Sequence, residues 1–183
     1  SGTQGTQNAA VYFTGLDAPP YSAARATEEY NGTAWSAGNA TINDVYSGYG
    51  AGTQNSALRF GGYDSPVAAN TSEHYNGTSW SAGGTMITAR FEISGFGESE
   101  DSVVAMGGQP AEPVGQCTEE YNGTTWTAGT AFPIATIQAA GNGSSCSGLI
   151  SGGNAIPSGV TNCTSEWTKE LVYFNFCSKF HSI

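Results

Sequence analysis

A segment of twelve residues occurs three times in this chain of 183 residues, and the repeat constrains the fold more than any other feature of the sequence. Its pattern is (Ser/Thr)-Glu-x-Tyr-Asn-Gly-Thr-x-Trp-(Ser/Thr)-Ala-Gly, and the copies are Thr27–Gly38, Ser72–Gly83 and Thr118–Gly129. The tyrosines of the three copies lie 45 and 46 residues apart. A fixed period of this length indicates repeated units, each of which buries its apolar surface against its neighbours.

A fourth, divergent copy follows one period later. Trp167 stands in place of the tyrosine, residues 168–171 replace the Asn-Gly-Thr turn, and Val172 replaces the tryptophan. Divergence at one end is expected of a terminal repeat, because it faces a different neighbour. The sequence therefore predicts one domain, 1–183, with repeats at about 1–38, 39–84, 85–130 and 131–177 and a closing strand at 178–183.

Each period predicts four short strands. Asn-Gly between two alternating runs favours a two-residue type I′ hairpin, which needs positive φ at both positions. An apolar strand that ends at two glycines precedes each hairpin, at 56–62, 102–108 and 148–153, and a further strand precedes that one, at 42–50, 89–97 and 133–141. Four antiparallel strands in about 45 residues are typical of a propeller blade, so the predicted fold is an all-β propeller of about four blades.

The first repeat begins at the second strand of its blade, residues 9–15, so the expected total is 15 strands and one blade edge is unpaired. An unpaired edge exposes backbone donors and acceptors, which invites another strand to add there. Residues 178–183 are similar to residues 89–94, a first strand in a later blade. We therefore predict that residues 178–183 pair with residues 9–15, within one chain or between chains.

A double glycine followed 13 residues later by a tyrosine, and five residues after that by a tryptophan, resembles the kelch repeat. The pattern runs from Gly62 to Trp80 and from Gly108 to Trp126, while the first copy has Thr14-Gly15 instead of the double glycine. The phrase Glu-Tyr-Asn-Gly-Thr-x-Trp-x-Ala-Gly more closely resembles the kelch-like repeats in virion proteins of aquatic tailed phages. The resemblance implies a propeller in a tail or tail fibre, although propellers host many functions.

Charge limits the classes of partner. The net charge is −10, and the permanent cations are Arg25, Arg59, Arg90, Lys169 and Lys179. These scattered cations do not supply the clustered positive charge that nucleic acid or an anionic membrane surface requires. No run of about 18 apolar residues predicts a membrane span. We expect an extracellular or virion location, with no nucleic-acid partner and no membrane insertion.

The recurring aromatic residues suit either a ligand-binding platform or packing between blades. We favour packing, because a binding site normally uses unlike residues that converge on one spot. We expect the three repeated tryptophans to lie buried against the neighbouring blade. The predicted repeat core is Tyr30, Trp35, Tyr75, Trp80, Tyr121, Trp126 and Trp167, and the turn glycines are Gly32, Gly77 and Gly123.

The acidic residues of the repeat do not form a general acid–base pair, because adjacent residues on a strand point to opposite faces. We interpret them as parts of a solvated outer strand; they are Glu28, Glu29, Glu73, Glu119, Glu120 and Glu166. The densest acidic cluster is Glu98, Glu100 and Asp101. A polar turn is the preferred interpretation of that cluster, and a low-affinity Ca²⁺ site is the alternative.

The sequence offers no catalytic set and no cofactor site. A sialidase-like site binds its substrate with an arginine cluster, and the three arginines are scattered. A copper site needs several histidines, and the chain has His74 and His181. We therefore expect a protein that is not an enzyme.

The four cysteines have no zinc-site spacing, and disulfides and small buried hydrophobic residues both remain open interpretations. The preferred disulfide is Cys163–Cys177, because these residues flank the diverged turn near cross-strand register if that hairpin forms. Cys117 and Cys146 are the other two cysteines. Seven sequons provide candidate glycan acceptors: Asn31, Asn39, Asn70, Asn76, Asn122, Asn142 and Asn162.

Together these features predict a non-catalytic structural or adhesion module of a phage virion, or of another extracellular assembly. Such a module presents loops to a surface glycan or to neighbouring subunits, including copies of itself. The alternative is a secreted or cell-surface kelch-type module that binds glycan or protein and carries glycans and disulfides. A propeller glycosidase is a third hypothesis, which would require three converging arginines or an ordered metal.

Overall fold

The structure is a computed structural model that describes residues 2–17, 23–110, 115–155, 159–169 and 171–176. All regular structure in these residues is β-strand. Four antiparallel sheets of four strands, sheets I to IV, follow one another along the chain. The prediction of an all-β chain built from antiparallel sheets is confirmed. None of the described residues form a helix that is long and apolar enough to cross a membrane.

Each of the four sheets is a meander, because its strands pair in chain order. Sheet I contains β1 (Gly2–Thr6), β2 (Ala9–Leu16), β3 (Ala23–Tyr30) and β4 (Trp35–Ala37). Sheet II contains β5 (Tyr49–Thr53), β6 (Ser56–Phe60), β9 (Ser72–Tyr75) and β10 (Trp80–Ala82), and β7 (Tyr63–Asp64) pairs with β8 (Val67–Ala68) in the connection between β6 and β9. Sheet III contains β11 (Ser94–Ser99), β12 (Ser102–Met106), β13 (Thr118–Tyr121) and β14 (Trp126–Ala128).

Sheet IV contains β16 (Ala140–Ser144), β17 (Ser147–Ser151), β20 (Thr164–Thr168) and β21 (Leu171–Phe176). A small three-stranded sheet flanks it, formed by β15 (Thr136–Ile137), β18 (Asn154–Ala155) and β19 (Gly159–Val160). The period seen in the sequence therefore corresponds to one four-stranded sheet per repeat.

The first strand of each sheet packs against the first strand of the next, so that β1 contacts β5, β5 contacts β11 and β11 contacts β16. Glycine makes this close approach feasible. A Cβ atom at Gly141 of β16 would lie 2.1 Å from the carbonyl oxygen of Gly95 in β11. Cβ atoms at Gly50 and Gly95 would lie 2.3 Å and 2.8 Å from Cζ of Phe13 and Phe60, which belong to the second strand of the preceding sheet. Among the described strands, β16 and β1 do not pack against each other to this extent. The four sheets therefore form a series with two open ends.

The first strands of sheets II to IV begin later than predicted. We expected strands at 42–50, 89–97 and 133–141, whereas the observed strands begin at residues 49, 94 and 140. Ser47, Glu92 and Gln138 have left-handed backbones, with φ of 54°, 53° and 57°. A left-handed residue interrupts the extended conformation, so each strand begins only after it.

The predicted pairing of residues 178–183 with residues 9–15 is wrong. β1 occupies the edge that we expected to be free, with Thr6 opposite Ala9 and Gly2 opposite Phe13, and β3 occupies the other edge. Sheet I therefore has four strands, and sheets I to IV contain 16 strands in place of the expected 15. Residues 178–183 lie outside the described residues.

The Asn-Gly-Thr hairpins form, but their turns are not of type I′. Tyr30 pairs with Trp35, so four residues form the loop, and the other two copies have the same register. Only the glycine has positive φ, which is 90° at Gly32. The Asn31 side chain instead accepts hydrogen bonds at 3.0 Å from the backbone N–H groups of residues 33 and 34. The asparagine therefore acts through its side chain rather than through a left-handed backbone.

Candidate functional site

The repeated tryptophans of sheets II and III lie between adjacent sheets. Trp80 is 8% exposed, its ring centroid is 5.0 Å from that of Phe13, and its Nε1 donates to Thr27 Oγ1 at 2.9 Å. Trp126 is 6% exposed and makes the equivalent contact with Phe60 at 5.4 Å. Both rings therefore pack against the preceding sheet, as the packing interpretation requires.

Trp35 does not follow this pattern, and the expectation that it is buried is wrong. It is 50% exposed, because it lies on the face of sheet I that is turned away from sheet II and no other described sheet covers that face. Its aromatic partner among the described residues is its hairpin neighbour Tyr30, at a ring-centroid distance of 5.1 Å. Trp167 of sheet IV is buried, and its Nε1 donates to the carbonyl of Ser145 at 3.0 Å.

A buried carboxylate joins sheet I to sheet II. Glu73 and Arg59 are both fully buried, with Arg59 Nη2 2.6 Å from Glu73 Oε1. The same carboxylate accepts hydrogen bonds from the backbone N–H groups of Ile42 at 2.7 Å and of Asn43 at 3.1 Å. Those two residues lie in the segment that leaves sheet I, so Glu73 ties the end of one repeat to the next.

The same arrangement joins sheet II to sheet III. Glu119 accepts from the backbone N–H of Ile87 at 2.8 Å and of Thr88 at 3.2 Å, and it pairs with Arg90 Nη2 at 2.9 Å. We call the arrangements at Glu73 and Glu119 the carboxylate latches. The interpretation of both residues as solvated is therefore wrong, because backbone amides and a guanidinium replace their water.

Burial lowers the pKa of both latch arginines, while the partner carboxylates act in the opposite direction. Arg59 lies in β6, next to the strand of Glu73 in the same sheet, whereas Arg90 lies in the segment between sheet II and sheet III. The different origins explain why sequence reasoning missed the pairs, since the arginines do not share the period of the glutamates. One signal was present: Arg59 interrupts the apolar run 57–60, and a charge in a buried strand needs a counter-charge.

The remaining acidic residues of the repeat have separate environments. Glu29 accepts a hydrogen bond from the Tyr75 hydroxyl across the sheet I–sheet II boundary. Burial raises the pKa of Tyr75, and the hydrogen bond with Glu29 raises it further. Glu120 has a carboxylate oxygen 3.9 Å from Lys169 Nζ. Glu28 and Glu166 are exposed.

The acidic cluster of sheet III is divided between two neighbours. Glu98 accepts a hydrogen bond from the Ser145 backbone of sheet IV at 2.9 Å. The other two members lie beside His74 of sheet II, and ligand atoms of His74, Glu100 and Asp101 are all within 4.8 Å of one another. Glu98 therefore does not group with Glu100 and Asp101 as the alternative Ca²⁺ interpretation expected, and His74 lies beside those two residues instead.

Both ring nitrogens of His74 have hydrogen-bonding partners. The Gly84 N–H donates to the Tyr121 hydroxyl at 3.0 Å, and that oxygen is 2.8 Å from His74 Nε2. If the tyrosine donates to Nε2, the other ring nitrogen carries its proton and donates to Glu100 Oε2 at 3.1 Å. This chain of donors joins sheets II and III at the same position where Tyr75 and Glu29 join sheets I and II.

A small cavity lies among the first strands of the four sheets. Its volume is about 180 Å³, and its lining includes Gln4, Tyr49, Gly95 and Asn142. At the edge of the cavity, the Tyr49 hydroxyl donates a hydrogen bond to the carbonyl oxygen of residue 141 in sheet IV at 3.3 Å. This volume is below the roughly 300–1,000 Å³ of ordinary small-molecule sites.

The three arginines have three different carboxylate partners. Arg25 lies 3.7 Å from Asp44 at the surface, while Arg59 and Arg90 belong to the two latches. A sialidase-like site requires its guanidinium groups to converge on one point, and these three guanidinium groups do not. His181 lies outside the described residues.

Cysteines and sequons have the following positions. Cys163 is disulfide-bonded, and Cys117 and Cys146 are free thiols. Cys177 lies outside the described part of the chain, so its pairing with Cys163 stays a prediction. Six sequon asparagines are exposed and Asn70 is half-buried, which leaves glycosylation a prediction as well.

The comparisons with known proteins bear on the fold alone. No protein-family model matches the chain, and no curated protein matches it. The chain is similar to a solved structure titled "Structure of YjhT", with a TM-score of 0.76 and 15% sequence identity over 96% of this chain. The alignment covers 64% of that chain, so this protein spans just under two thirds of its length. The shared fold is an all-β arrangement of the propeller-like or sandwich class.

Proposed function

We propose that sheets I to IV are kelch-like propeller blades and that the chain is a non-catalytic structural or adhesion module of a phage virion or another extracellular assembly. One observation carries the proposal: the repeat is divided into a buried half and an exposed half. Its glutamates and tryptophans join sheets II and III to the sheets before them. Its Asn-Gly-Thr hairpins face solvent in all three copies.

The buried half supports a structural role. Glu73 and Glu119 are each held by a guanidinium and by two backbone amides, so their carboxylates are committed to joining sheets. A carboxylate with such partners is not available as a general acid, base or nucleophile. The charged residues that recur in the repeat therefore stabilise the scaffold.

The exposed half supports an adhesion role. The loops 31–34, 76–79 and 122–125 have the same backbone geometry, because the same asparagine hydrogen bonds fix each one. They present hydroxyl and amide groups without net charge, which suits a neutral or hydroxyl-rich ligand such as a surface glycan. Three equivalent loops on one rigid body also allow multivalent binding, in which weak single contacts add to useful avidity.

The test is binding of the fluorescently labelled chain to candidate host cells and to a panel of surface polysaccharides. The informative variant is Thr33→Lys/Thr78→Lys/Thr124→Lys, because all three threonines are exposed loop residues. We expect it to lose binding while keeping the wild-type melting temperature, and Val67→Lys, at an exposed site elsewhere, serves as the control. Wild-type binding that the triple variant leaves unchanged, or hydrolysis of a bound glycan, would contradict the proposal.

A second candidate function is a secreted or cell-surface kelch-type binding module. The disulfide at Cys163 favours it, because disulfides persist in oxidising compartments. Intact-mass measurement of the native protein before and after reduction and deglycosylation separates the candidates. Attached glycan at the exposed sequons supports the second candidate, and its absence from native material supports the virion module.

A further inference from the structure

Sheets II and III each use one face to pack against the preceding sheet, and sheet I carries an uncovered copy of that face. We call it the leading face and define it by Glu28, Tyr30 and Trp35. Glu28 is exposed and makes no hydrogen bond with any described residue, and Trp35 is half exposed. The counterparts in the next two repeats are all buried by the preceding sheet: Glu73, Tyr75, Trp80, Glu119, Tyr121 and Trp126.

The leading face already has the geometry of a filled contact. The rings of Tyr30 and Trp35 are 5.1 Å apart at an interplanar angle of 37°. The buried pair Tyr75–Trp80 has a distance of 4.8 Å and an angle of 34°. A surface that is ordered before binding loses little side-chain entropy on association.

Sheet IV exposes the complementary surface at the other end of the series. We call it the trailing face and define it by Leu149, Thr164 and Glu166. Leu149 is 48% exposed, whereas its counterparts in sheets I to III are 0% exposed because the next sheet covers them: Val11, Leu58 and Val104. A groove of about 350 Å³ is lined by Leu149 and Glu166.

The polar groups of the two faces match. Glu166 occupies the strand position of Glu29, which accepts the hydroxyl of Tyr75 across the sheet I–sheet II boundary. Tyr30 on the leading face is the counterpart of Tyr75 and supplies the same hydroxyl. An exposed carboxylate on one face would therefore accept a hydrogen bond from the half-buried Tyr30 on the other.

A second donor and acceptor correspond in the same way. Thr164 occupies the strand position of Thr27, whose hydroxyl accepts from Trp80 Nε1. The indole N–H of Trp35 is the equivalent donor. Two contacts are missing. Ser151 stands where Phe13 meets the ring of Trp80, and Tyr12 stands opposite Glu28 where Arg59 pairs with Glu73. The association is therefore weaker than packing between sheets of one chain, and we expect it to be reversible.

We infer that the leading face of one copy docks on the trailing face of a second copy, so that the chain assembles head to tail. The inference rests on the proposed role in an assembly and names a second copy as the partner. Because the two faces differ, the contact is heterologous, and it gives a ring if the rotation closes and an open fibre if it does not.

The test uses one variant at each end of the chain. Trp35→Arg disables the leading face and Leu149→Arg disables the trailing face, and both side chains are about half exposed, so the fold tolerates the change. By sedimentation velocity we expect wild type to form concentration-dependent oligomers and each variant to sediment as an 18.8 kDa monomer. An equimolar mixture retains one intact face of each kind and should form a dimer of twice that mass and nothing larger.

Val67→Arg, at an exposed site on neither face, is the matched control and should assemble like wild type. We expect each end variant to weaken association at least about 30-fold, as loss of an interface hot spot does. A monomeric wild type, single variants that still assemble, or a mixture without dimer would overturn the inference. Glycan binding is measured separately on monomeric variants, so its failure would count against the adhesion role alone.

Discussion

Trp80→Ala is the most direct measure of how strongly adjacent sheets hold one another. A buried aromatic side chain removes roughly 150–250 Å² from water, worth about 4–6 kcal/mol at ~25 cal/mol/Å². Alanine retains the Cβ atom and the neighbours relax in part, so we expect a loss of about 3–5 kcal/mol. The loss includes the hydrogen bond from Nε1 to Thr27.

Trp35→Ala is the matched comparison, because Trp35 has the same hairpin position but is 50% exposed. We expect it to cost about 1–2 kcal/mol, since less area is buried and no enclosed cavity forms. The assay is urea denaturation followed by far-UV circular dichroism, at a dilution that keeps the chains monomeric. Equal losses for the two variants, or a loss below about 1 kcal/mol for Trp80→Ala, would refute the reasoning.

Three further predictions test the contacts between sheets. Glu73→Gln leaves a buried guanidinium without its counter-charge and should cost about 3–5 kcal/mol, whereas Glu28→Gln at the equivalent exposed position should cost less than about 0.5 kcal/mol; similar urea midpoints would contradict this. The pKa of Tyr75 is raised in the folded protein, so the contribution of Tyr75 to stability is complete below about pH 10 and is lost as the pH rises through the folded-state pKa. Tyr75→Phe should therefore reduce the fall in melting temperature at alkaline pH. Identical pH profiles of the melting temperature for the variant and wild type would count against this prediction. Gly50→Ala places a Cβ 2.3 Å from Phe13 and should destabilise by about 1–3 kcal/mol; adding Phe13→Leu should cost less in this background than in wild type, and simple additivity would argue against the clash.

The sequence by itself determined the repeat unit, its second strands and its hairpins. Each sheet pairs strands that are neighbours along the chain, so its hydrogen bonds depend on local patterns such as the hairpin at Tyr30–Trp35. Turn residues and apolar runs mark these local contacts directly. For the same reason the second strands, predicted to begin at residues 56, 102 and 148, begin at residues 56, 102 and 147.

β1 shows where local pattern fails. Residues 2–6 are glycine, threonine and glutamine, without the alternating apolar residues that indicate a strand. The segment is a strand because β2 offers it a free backbone edge and β5 packs beside it. Its existence is a property of its neighbours, so the strand count and the position of the open edge could not be read from the segment itself.

Tertiary structure alone decided which copies of the repeat are buried. Glu28 and Glu73 have nearly identical local sequences, yet one is exposed and the other is held by Arg59 and two backbone amides. Trp35 and Trp80 differ in the same way. The physical reason is that desolvation depends on the sheet that lies opposite, and a residue's own repeat carries no information about whether that sheet is present.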